Sequence, residues 1–293
     1  MMAYGETQAA LSRVGYVADG DLAACVELAQ ALNKPVLLEG EAGVGKTGLA
    51  QALAQSMDTE LVRLQCFEGL DASAALYDWN YPRQLLAARR QSEEAALDAS
   101  ESGLFSEAYL LERPLLRAIR QREPCVLLID EIDRADEEFE AFLLELLSDF
   151  QVTVPELGTL RAQSHPRVIL TSNGTRELSD ALRRRCLYFF IDYPDAALEL
   201  DIVKARLPAI GDSLAKQAVA LVQTLRGDDL VKVPGVAETL DWCAALLGLG
   251  VASLDRDRER VRQSFVCLLK TRADQSVLTD ARIDALLDAS AST

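Results

Sequence analysis

The chain has 293 residues, of which 49% are hydrophobic and 26% are charged, and its formal net charge is −16. This composition predicts a globular protein with a sizeable core and excludes a disordered chain. The acidity counts against nucleic acid as the main partner without excluding a local basic patch, because phosphate backbones are bound by basic faces.

The cysteine and histidine content of the chain and its hydropathy exclude further classes of protein. The six cysteines contain no C-x-x-C pair and the single histidine is His165, so we expect neither a disulfide framework nor a zinc site. The N-terminus lacks the charged and apolar regions of a signal peptide. The longest apolar stretch, 242–254, is shorter than the roughly 20 residues that cross a bilayer. We therefore expect no membrane span and a cytoplasmic location.

The first predicted elements lead into a glycine-rich loop. Residues 1–20 have the composition of a loose entry segment, and the apolar spacing over 21–32 predicts an amphipathic helix. The run Pro-Val-Leu-Leu at 35–38 predicts a strand. Directly after it, Gly-Glu-Ala-Gly-Val-Gly-Lys-Thr at 40–47 fits the pattern G-x-x-x-x-G-K-S/T, and apolar residues from Leu49 onward predict a helix.

A strand, a glycine loop and a helix start are the context of a phosphate-binding loop. The glycines let successive N–H groups point into one concavity, and the helix N-terminus adds positive potential. We expect Lys46 to reach the β- and γ-phosphates of ATP and Thr47 to ligate Mg²⁺; the alternative is a glycine-rich turn without ligand. The residues assigned to the nucleotide are Glu41, Ala42, Gly43, Val44, Gly45, Lys46, Thr47 and Leu49.

The next predicted strand, 60–65, is followed by a long connection. Residues 66–112 are irregular and partly charged, and they include the aromatic cluster Tyr-Asp-Trp-Asn-Tyr at 77–81. A connection of this length is expected to be a functional insert or to carry elements of its own. Apolar residues at 115–119 predict a helix at its end.

An apolar run at 125–129 predicts a central parallel strand covered on both faces, and it ends in Asp130 and Glu131. We expect Asp130 to hold Mg²⁺ through water and Glu131 to polarise the water that attacks the γ-phosphate, because phosphoryl transfer needs positioning and charge neutralisation. Taken alone, the pair is more typical of a solvated strand end. Its place after the phosphate loop favours the catalytic interpretation.

The remaining elements fall on either side of a predicted domain boundary at 194–195. Asp136 is expected to cap a helix that runs to about 150, a β-hairpin is predicted at 151–162, and strands are predicted at 167–171 and 187–191. From 195 onward the sequence contains helical periodicity and no convincing strand.

Two polar groups would complete an ATPase. Asn173 follows a predicted strand and could orient the attacking water, or it is a turn residue before Gly174. The three consecutive arginines at 183–185 are either a solvated face or contain an arginine finger, a cation that stabilises the transferring phosphoryl group. A finger supplied to a neighbouring subunit would require an oligomer.

The segments 40–47, 125–131, 171–173 and 180–186 together resemble AAA+ ATPases. The insert after the second strand and the hairpin at 151–162 resemble the MoxR family in particular. Glu-Gly-Leu-Asp at 68–71 and Tyr-Asp-Trp-Asn-Tyr-Pro-Arg at 77–83 look like the branch linked to carbon monoxide dehydrogenase maturation.

This resemblance implies a fold and site roles. The fold is an α/β AAA+ P-loop NTPase core over 1–194, with a central parallel sheet between helices, an insert at about 66–85 and the hairpin, followed by a small all-helical lid domain over 195–293. It makes Asn173 a sensor of the γ-phosphate and Arg185 the finger, with Arg184 as second choice. It also implies that Gln65 holds Glu131 inactive until assembly and that Val17, between Tyr16 and Ala18, lies against adenine.

One position departs from the family. The family usually has an arginine in the lid helix near 234–239, and here Glu238 and Thr239 occupy the place. Either the lid senses nucleotide differently or another arginine substitutes.

Three functions remain open at this point. The first is an ATP-hydrolysing, chaperone-like homo-oligomeric ring, expected to be a hexamer, that remodels a protein client. The resemblance suggests a metalloenzyme as client and a von Willebrand factor A domain protein as partner. The aromatic cluster 77–81 could grip the client or pack on the insert's own core. The alternatives are a DNA motor, against which the acidity counts, and a nucleotide-gated scaffold, against which Glu131 and Asn173 count.

Overall fold

The computed structural model describes residues 5–94, 105–154 and 157–291. The chain divides into two compact units. The helical unit comprises Met1–Ala23, Gly40–Ala52 and Phe190–Thr293, and the sheet unit comprises Ala24–Glu39 and Leu53–Phe189. The predicted phosphate loop belongs to the helical unit, and Asp130 and Glu131 belong to the sheet unit. The boundary at 194–195 stays a prediction.

Nine strands lie in the described part of the chain. They are β1 (Val36–Glu39), β2 (Leu61–Gln65), β3 (Tyr77–Trp79), β4 (Leu110–Glu112), β5 (Val126–Asp130), β6 (Gln151–Val154), β7 (Gly158–Arg161), β8 (Arg167–Ser172) and β9 (Leu187–Phe190).

The first eight α-helices of the described residues are α1 (Glu6–Arg13), α2 (Gly20–Leu32), α3 (Lys46–Ser56), α4 (Ala72–Ala75), α5 (Tyr81–Glu94), α6 (Pro114–Arg120), α7 (Glu137–Asp149) and α8 (Asp180–Arg183). The other six are α9 (Ala196–Arg206), α10 (Asp212–Leu225), α11 (Val236–Gly248), α12 (Arg258–Ser264), α13 (Arg272–Val277) and α14 (Asp280–Ala291). Short 3₁₀ turns lie at Glu107–Tyr109, Ile132–Arg134 and Phe265–Cys267.

A five-stranded sheet with the order β2-β5-β8-β1-β9 forms the centre of the sheet unit. β5 pairs in parallel with β2 and β8, and β1 pairs in parallel with β8. Every residue of β5 is buried, as expected for a strand covered on both faces. Gln65 lies opposite Asp130 in the register, so polar residues from neighbouring strands meet at the carboxyl edge. The predicted central parallel sheet is confirmed.

Helix α7 shows how local sequence shapes this unit. Asp136 accepts the N–H of Phe139 at 2.9 Å, so it caps the helix as predicted. Leu143 and Leu146 are fully buried on its inner face, and the helix ends at Phe150 with φ +49°. The predicted hairpin follows as antiparallel β6 and β7. Its turn residues, 155–156, lie outside the described residues.

The long connection carries elements of its own, one of the two expectations for it. β3 and β4 pair antiparallel, with α4 before β3 and α5 between the two strands in the chain. Trp79 is buried and packs edge-on against Tyr77 and Phe105, with ring centroids 5.9 and 5.4 Å away. This part of the aromatic cluster therefore packs within the insert, whereas Tyr81 is exposed.

The helical unit contains α9 to α14 around a buried core. Trp242 on α11 is fully buried and donates to Ser264 Oγ at 2.8 Å, which satisfies its indole N–H. Residues 195–291 contain no strand, in agreement with the prediction of a helical C-terminal region.

One expectation for the N-terminal segment was wrong. Residues 1–20 were expected to be loose, but 6–13 form α1, because Leu11 is fully buried and anchors the helix. Among the described residues, no helix has both the length and the apolar character needed to cross a bilayer.

Candidate nucleotide site

The loop at 40–47 connects β1 to α3 and has the backbone that its glycines predict. Gly43 has φ +81°, a conformation that side chains rarely adopt. A Cβ on Gly40 would lie 2.2 Å from the carbonyl oxygen of Ile191, so only glycine fits there. The first N–H groups of α3 have no acceptor within the helix. The loop therefore supplies N–H donors and a helix N-terminus suited to an anion.

Lys46 is the first residue of α3, and its side chain turns back into the loop. It is 7% exposed, and its Nζ donates to the carbonyl oxygens of Gly40 at 2.6 Å and Glu41 at 2.7 Å. The backbone thus holds the ammonium group in the cavity of its own loop. A buried cation among N–H donors fits the phosphates of ATP. Thr47, half-buried in the first turn of the helix, has the hydroxyl that a magnesium ligand needs.

Tyr16 lies against the same loop. Its hydroxyl donates to Gly45 O at 3.4 Å, and its ring lies 3.5 Å from where a Cβ on Gly48 would be. Burial raises the pKa of Tyr16, so the hydroxyl stays a donor. Val17 is half-buried and Leu49 fully buried, and their contacts with nucleotide stay predictions.

The start of α11 also reaches the loop. The N–H of Ala237 donates to Gly43 O at 3.1 Å, and Glu238 Oε2 lies 3.0 Å from the position of a Cβ on Gly43. The two residues that depart from the family thus have different surroundings. The carboxylate of Glu238 lies beside the loop, whereas the hydroxyl of Thr239 is buried and donates to Glu199 at 2.7 Å.

Arg226 is a residue of this region that the sequence did not single out. It pairs with fully buried Glu199 through two bonds, Nη1–Oε2 at 2.8 Å and Nη2–Oε1 at 2.6 Å. Its Nε donates to Pro234 O at 2.8 Å, and its guanidinium lies 5.0 Å from the centre of the Tyr193 ring. Arg226 therefore holds the segment that precedes α11. No sequence pattern signals this pairing between residues far apart in the chain.

In the sheet unit, Asp130 ends β5 as a buried carboxylate. Thr171 Oγ1 donates to Asp130 Oδ1 at 2.5 Å, and Arg63 Nη2 donates to Asp130 Oδ2 at 2.6 Å. The same Thr171 oxygen accepts the N–H of Glu131 at 2.9 Å. Neighbouring strands thus orient Asp130, whose oxygens suit a hard cation such as Mg²⁺.

Glu131 has an unusual backbone. Its φ and ψ are +55° and +51°, a left-handed conformation that costs about 1–3 kcal/mol for a residue with a side chain. Its carboxylate pairs with Arg134 Nε at 2.9 Å. Gln65 Oε1 accepts from Arg63 at 2.6 Å. The role of Gln65 in holding Glu131 inactive stays a prediction.

Asp133 connects the acidic turn to the predicted sensor. Its Oδ2 accepts the N–H groups of Asn173 at 3.2 Å and Thr175 at 3.0 Å, and the Thr175 hydroxyl at 2.6 Å. Burial alone would raise the pKa of Asp133, but the hydrogen bonds from Thr175 and Asn173 outweigh it and lower the pKa. Asp133 had no predicted role. It fixes the backbone that carries the Asn173 side chain.

The three arginines differ in their surroundings. Arg183 Nη2 lies 3.4 Å from Glu39 Oε2. Arg185 donates to Ser148 Oγ at 2.5 Å and to Ala181 O at 2.9 Å. Arg184 is exposed and follows the last residue of α8. The choice of Arg185 over Arg184 as the finger stays a prediction.

Comparisons with known proteins identify the family. The model of the family described as AAA domain (dynein-related subfamily) matches residues 35–186. An uncharacterized protein of Staphylococcus haemolyticus is 26% identical over 258 residues, which cover 85% of this chain and 90% of the relative. A mutant RuvB of Thermotoga maritima is similar in structure, with TM-score 0.48 and 19% identity over 83% of this chain and 66% of that chain, just under two thirds. A Cytophaga hutchinsonii protein, described as a candidate ATPase, has TM-score 0.46 and 17% identity over 98% and 94% of the two chains.

Proposed function

The chain belongs to the dynein-related subfamily of AAA domains, and from this premise we propose that it is a chaperone-like ring ATPase that remodels a protein client. ATP hydrolysis and nucleotide binding follow from the family, whose members usually act as oligomers. The observation that carries the proposal is the loop-held Lys46, whose ammonium donates to Gly40 and Glu41 in a phosphate-loop backbone.

The residue roles in hydrolysis form the first part of the proposal. Lys46 Nζ would donate to the β- and γ-phosphates, and Thr47 and Asp130 are the residues that would hold Mg²⁺. The metal would neutralise phosphate charge when bound. Glu131 accepts a proton from the attacking water, and Asn173 orients that water. Because Glu131 pairs with Arg134, its carboxylate must leave that partner to act as the base.

A ring, expected to be a hexamer, is the second part. An arginine finger that a neighbouring subunit supplies stabilises the transferring phosphoryl group and raises the hydrolysis rate by about 10³–10⁵. Arg185 and Arg184 are the proposed fingers. The exposure of Arg184 supports a contact beyond its own chain, and the bonds of Arg185 to Ser148 and Ala181 would have to open first.

The client is the third part. The insert presents exposed apolar side chains on α5, namely Tyr81, Leu85 and Leu86, and an apolar surface of this kind suits a protein client. A metalloenzyme as client, a von Willebrand factor A domain protein as partner and a cytoplasmic location rest on the MoxR resemblance. The net charge of −16 favours a protein client over DNA.

The experiment that tests the proposal measures steady-state ATPase rate against protein concentration, with particle size determined in the same samples. We expect the specific rate to rise with assembly and to collapse in Arg185→Ala while ATP binding persists. The matched control is Arg206→Ala, an exposed arginine on α9, which should leave the rate unchanged. A rate independent of concentration would refute the shared-site ring.

A further inference from the structure

The start of α11 is bonded to the phosphate loop within the helical unit. The N–H of Ala237 donates to Gly43 O at 3.1 Å, and a Cβ on Gly235 would lie 2.9 Å from Ala42 O. The first N–H groups of a helix lack acceptors within the helix, and here the loop provides one. Because glycines occupy both sides, the two backbones approach more closely than side chains would allow.

This contact brings a carboxylate to the loop. Glu238 Oε2 accepts the N–H of Gly235 at 3.0 Å and lies 3.0 Å from the Cβ position of Gly43. A negative charge is stable in the first turn of a helix. The backbone of α11 therefore fixes the position of this charge beside the loop.

The surroundings of Tyr193 include the same carboxylate. Burial raises the pKa of Tyr193, and the carboxylates of Glu41 and Glu238 raise it further against the effect of Arg226. The positive charge of Arg226 is committed to Glu199, at 2.6 and 2.8 Å. The loop thus has a carboxylate neighbour in Glu238, whereas the ion pair of Arg226 is with Glu199.

We propose that Glu238 is an affinity-setting residue of the phosphate loop, a carboxylate that weakens nucleotide binding by repelling the phosphate chain. The repulsion is larger for ATP than for ADP, because ATP carries the greater negative charge. The inference rests on the proposed nucleotide site, since it requires the loop to bind ATP.

The test is equilibrium titration of the full chain with MgATP and with MgADP by calorimetry. Glu238→Gln removes the charge and keeps an acceptor for the Gly235 N–H, since glutamine suits the same capping position. We expect the Kd for ATP to fall about tenfold, with a smaller change for ADP. The difference from the wild type should shrink as ionic strength rises. Glu238→Arg should tighten ATP binding further than Glu238→Gln.

Asp241→Asn is the matched control, because Asp241 is an exposed carboxylate on the same helix. Its Kd should stay within about twofold of the wild type, since exposed charges are screened. An equal gain in Asp241→Asn would attribute the effect to net charge and overturn the inference. Unchanged or weaker binding in both Glu238 variants would also overturn it.

The variant Lys46→Ala distinguishes failure of the role of Glu238 from failure of the proposed nucleotide site. If the wild type binds ATP and Lys46→Ala does not, while the Glu238 variants match the wild type, only the role of Glu238 fails. If the wild type and Lys46→Ala bind ATP equally, the nucleotide site itself fails, and the inference fails with it.

Discussion

The phosphate loop and the carboxyl edge of the sheet hold their charged groups in different ways. Backbone carbonyls of two neighbouring residues hold the ammonium of Lys46, which is 7% exposed. At the sheet edge, buried Thr171 and the 49% exposed side chain of Arg63 hold the carboxylate of Asp130, and the 59% exposed side chain of Arg134 holds that of Glu131. A group held by the backbone of its own loop has one position, whereas a group held by an exposed side chain can exchange partners at low cost. The loop is therefore the fixed part of the machinery and the sheet edge the adjustable part.

Removing the ammonium group of Lys46 should have the largest effect on ATP binding. Lys46→Ala deletes charge-assisted hydrogen bonds to phosphate, each worth about 1.5–3 kcal/mol, so ATP affinity should fall by about a hundredfold or more. Calorimetric titration with MgATP measures the loss. Lys216→Ala, on an exposed position of α10, should bind as the wild type does. Tight binding by Lys46→Ala would contradict the assignment of the loop.

Replacing Glu131, the proposed general base, should separate ATP binding from hydrolysis. Glu131→Gln keeps the size of the side chain and removes its ability to take a proton, so the hydrolysis rate should fall by about 10²–10⁴. The Kd for ATP should remain within a few-fold of the wild type. Rate and Kd are measured on the same preparation, with Glu137→Gln on the exposed start of α7 as the control. Normal turnover by Glu131→Gln would show that another residue acts as the base.

The difference between local and long-range contacts explains which parts of the structure the sequence could predict. The loop and β5 are encoded by consecutive residues, so 40–47 and 125–131 predicted their own conformations. Asp136 predicted its cap because the bond spans only three residues. Arg226 and Glu199, or Asp133 and Thr175, meet only because the fold brings distant segments together. No local pattern marks such pairs, and the same holds for the contact of Glu238 with Gly43.

The variant Asp133→Asn tests whether the carboxyl edge of the sheet needs the hydrogen bonds that hold the backbone at Asn173. Asp133→Asn removes a charged acceptor of three hydrogen bonds and should destabilise the fold by about 1–3 kcal/mol. Hydrolysis should fall about tenfold because Asn173 loses its position, with Kd for ATP within about twofold. The rate is expressed per ATP-binding site counted by calorimetric titration, so that a lower kcat per binding site distinguishes this positioning role from loss of folded protein.

The pKa of Asp133 adds a pH signature. A carboxyl whose pKa is lower in the folded state stabilises the protein above its unfolded pKa, and this contribution is lost as pH falls through the folded pKa. The pKa of Asp133 lies below its ordinary 3.8. The stability difference between wild type and Asp133→Asn should therefore be constant above about pH 5 and shrink below about pH 4. Denaturant unfolding at several pH values measures it, and a difference independent of pH would refute the role of the charge.

Removing the ion pair between Arg63 and Asp130 should have the smallest effect. Arg63 donates to Asp130 Oδ2 at 2.6 Å, and Asp130 is the residue proposed to hold Mg²⁺. Arg63→Ala should lower the Mg²⁺ concentration needed for ADP binding by about two- to fivefold, because a half-exposed ion pair is worth about 0.2–1 kcal/mol. Calorimetric titration of Mg²⁺ at fixed ADP measures the shift. Arg206→Ala is the control. A higher Mg²⁺ requirement in Arg63→Ala would mean that the guanidinium orients Asp130 for the metal, which would make both regions fixed and remove the contrast between them.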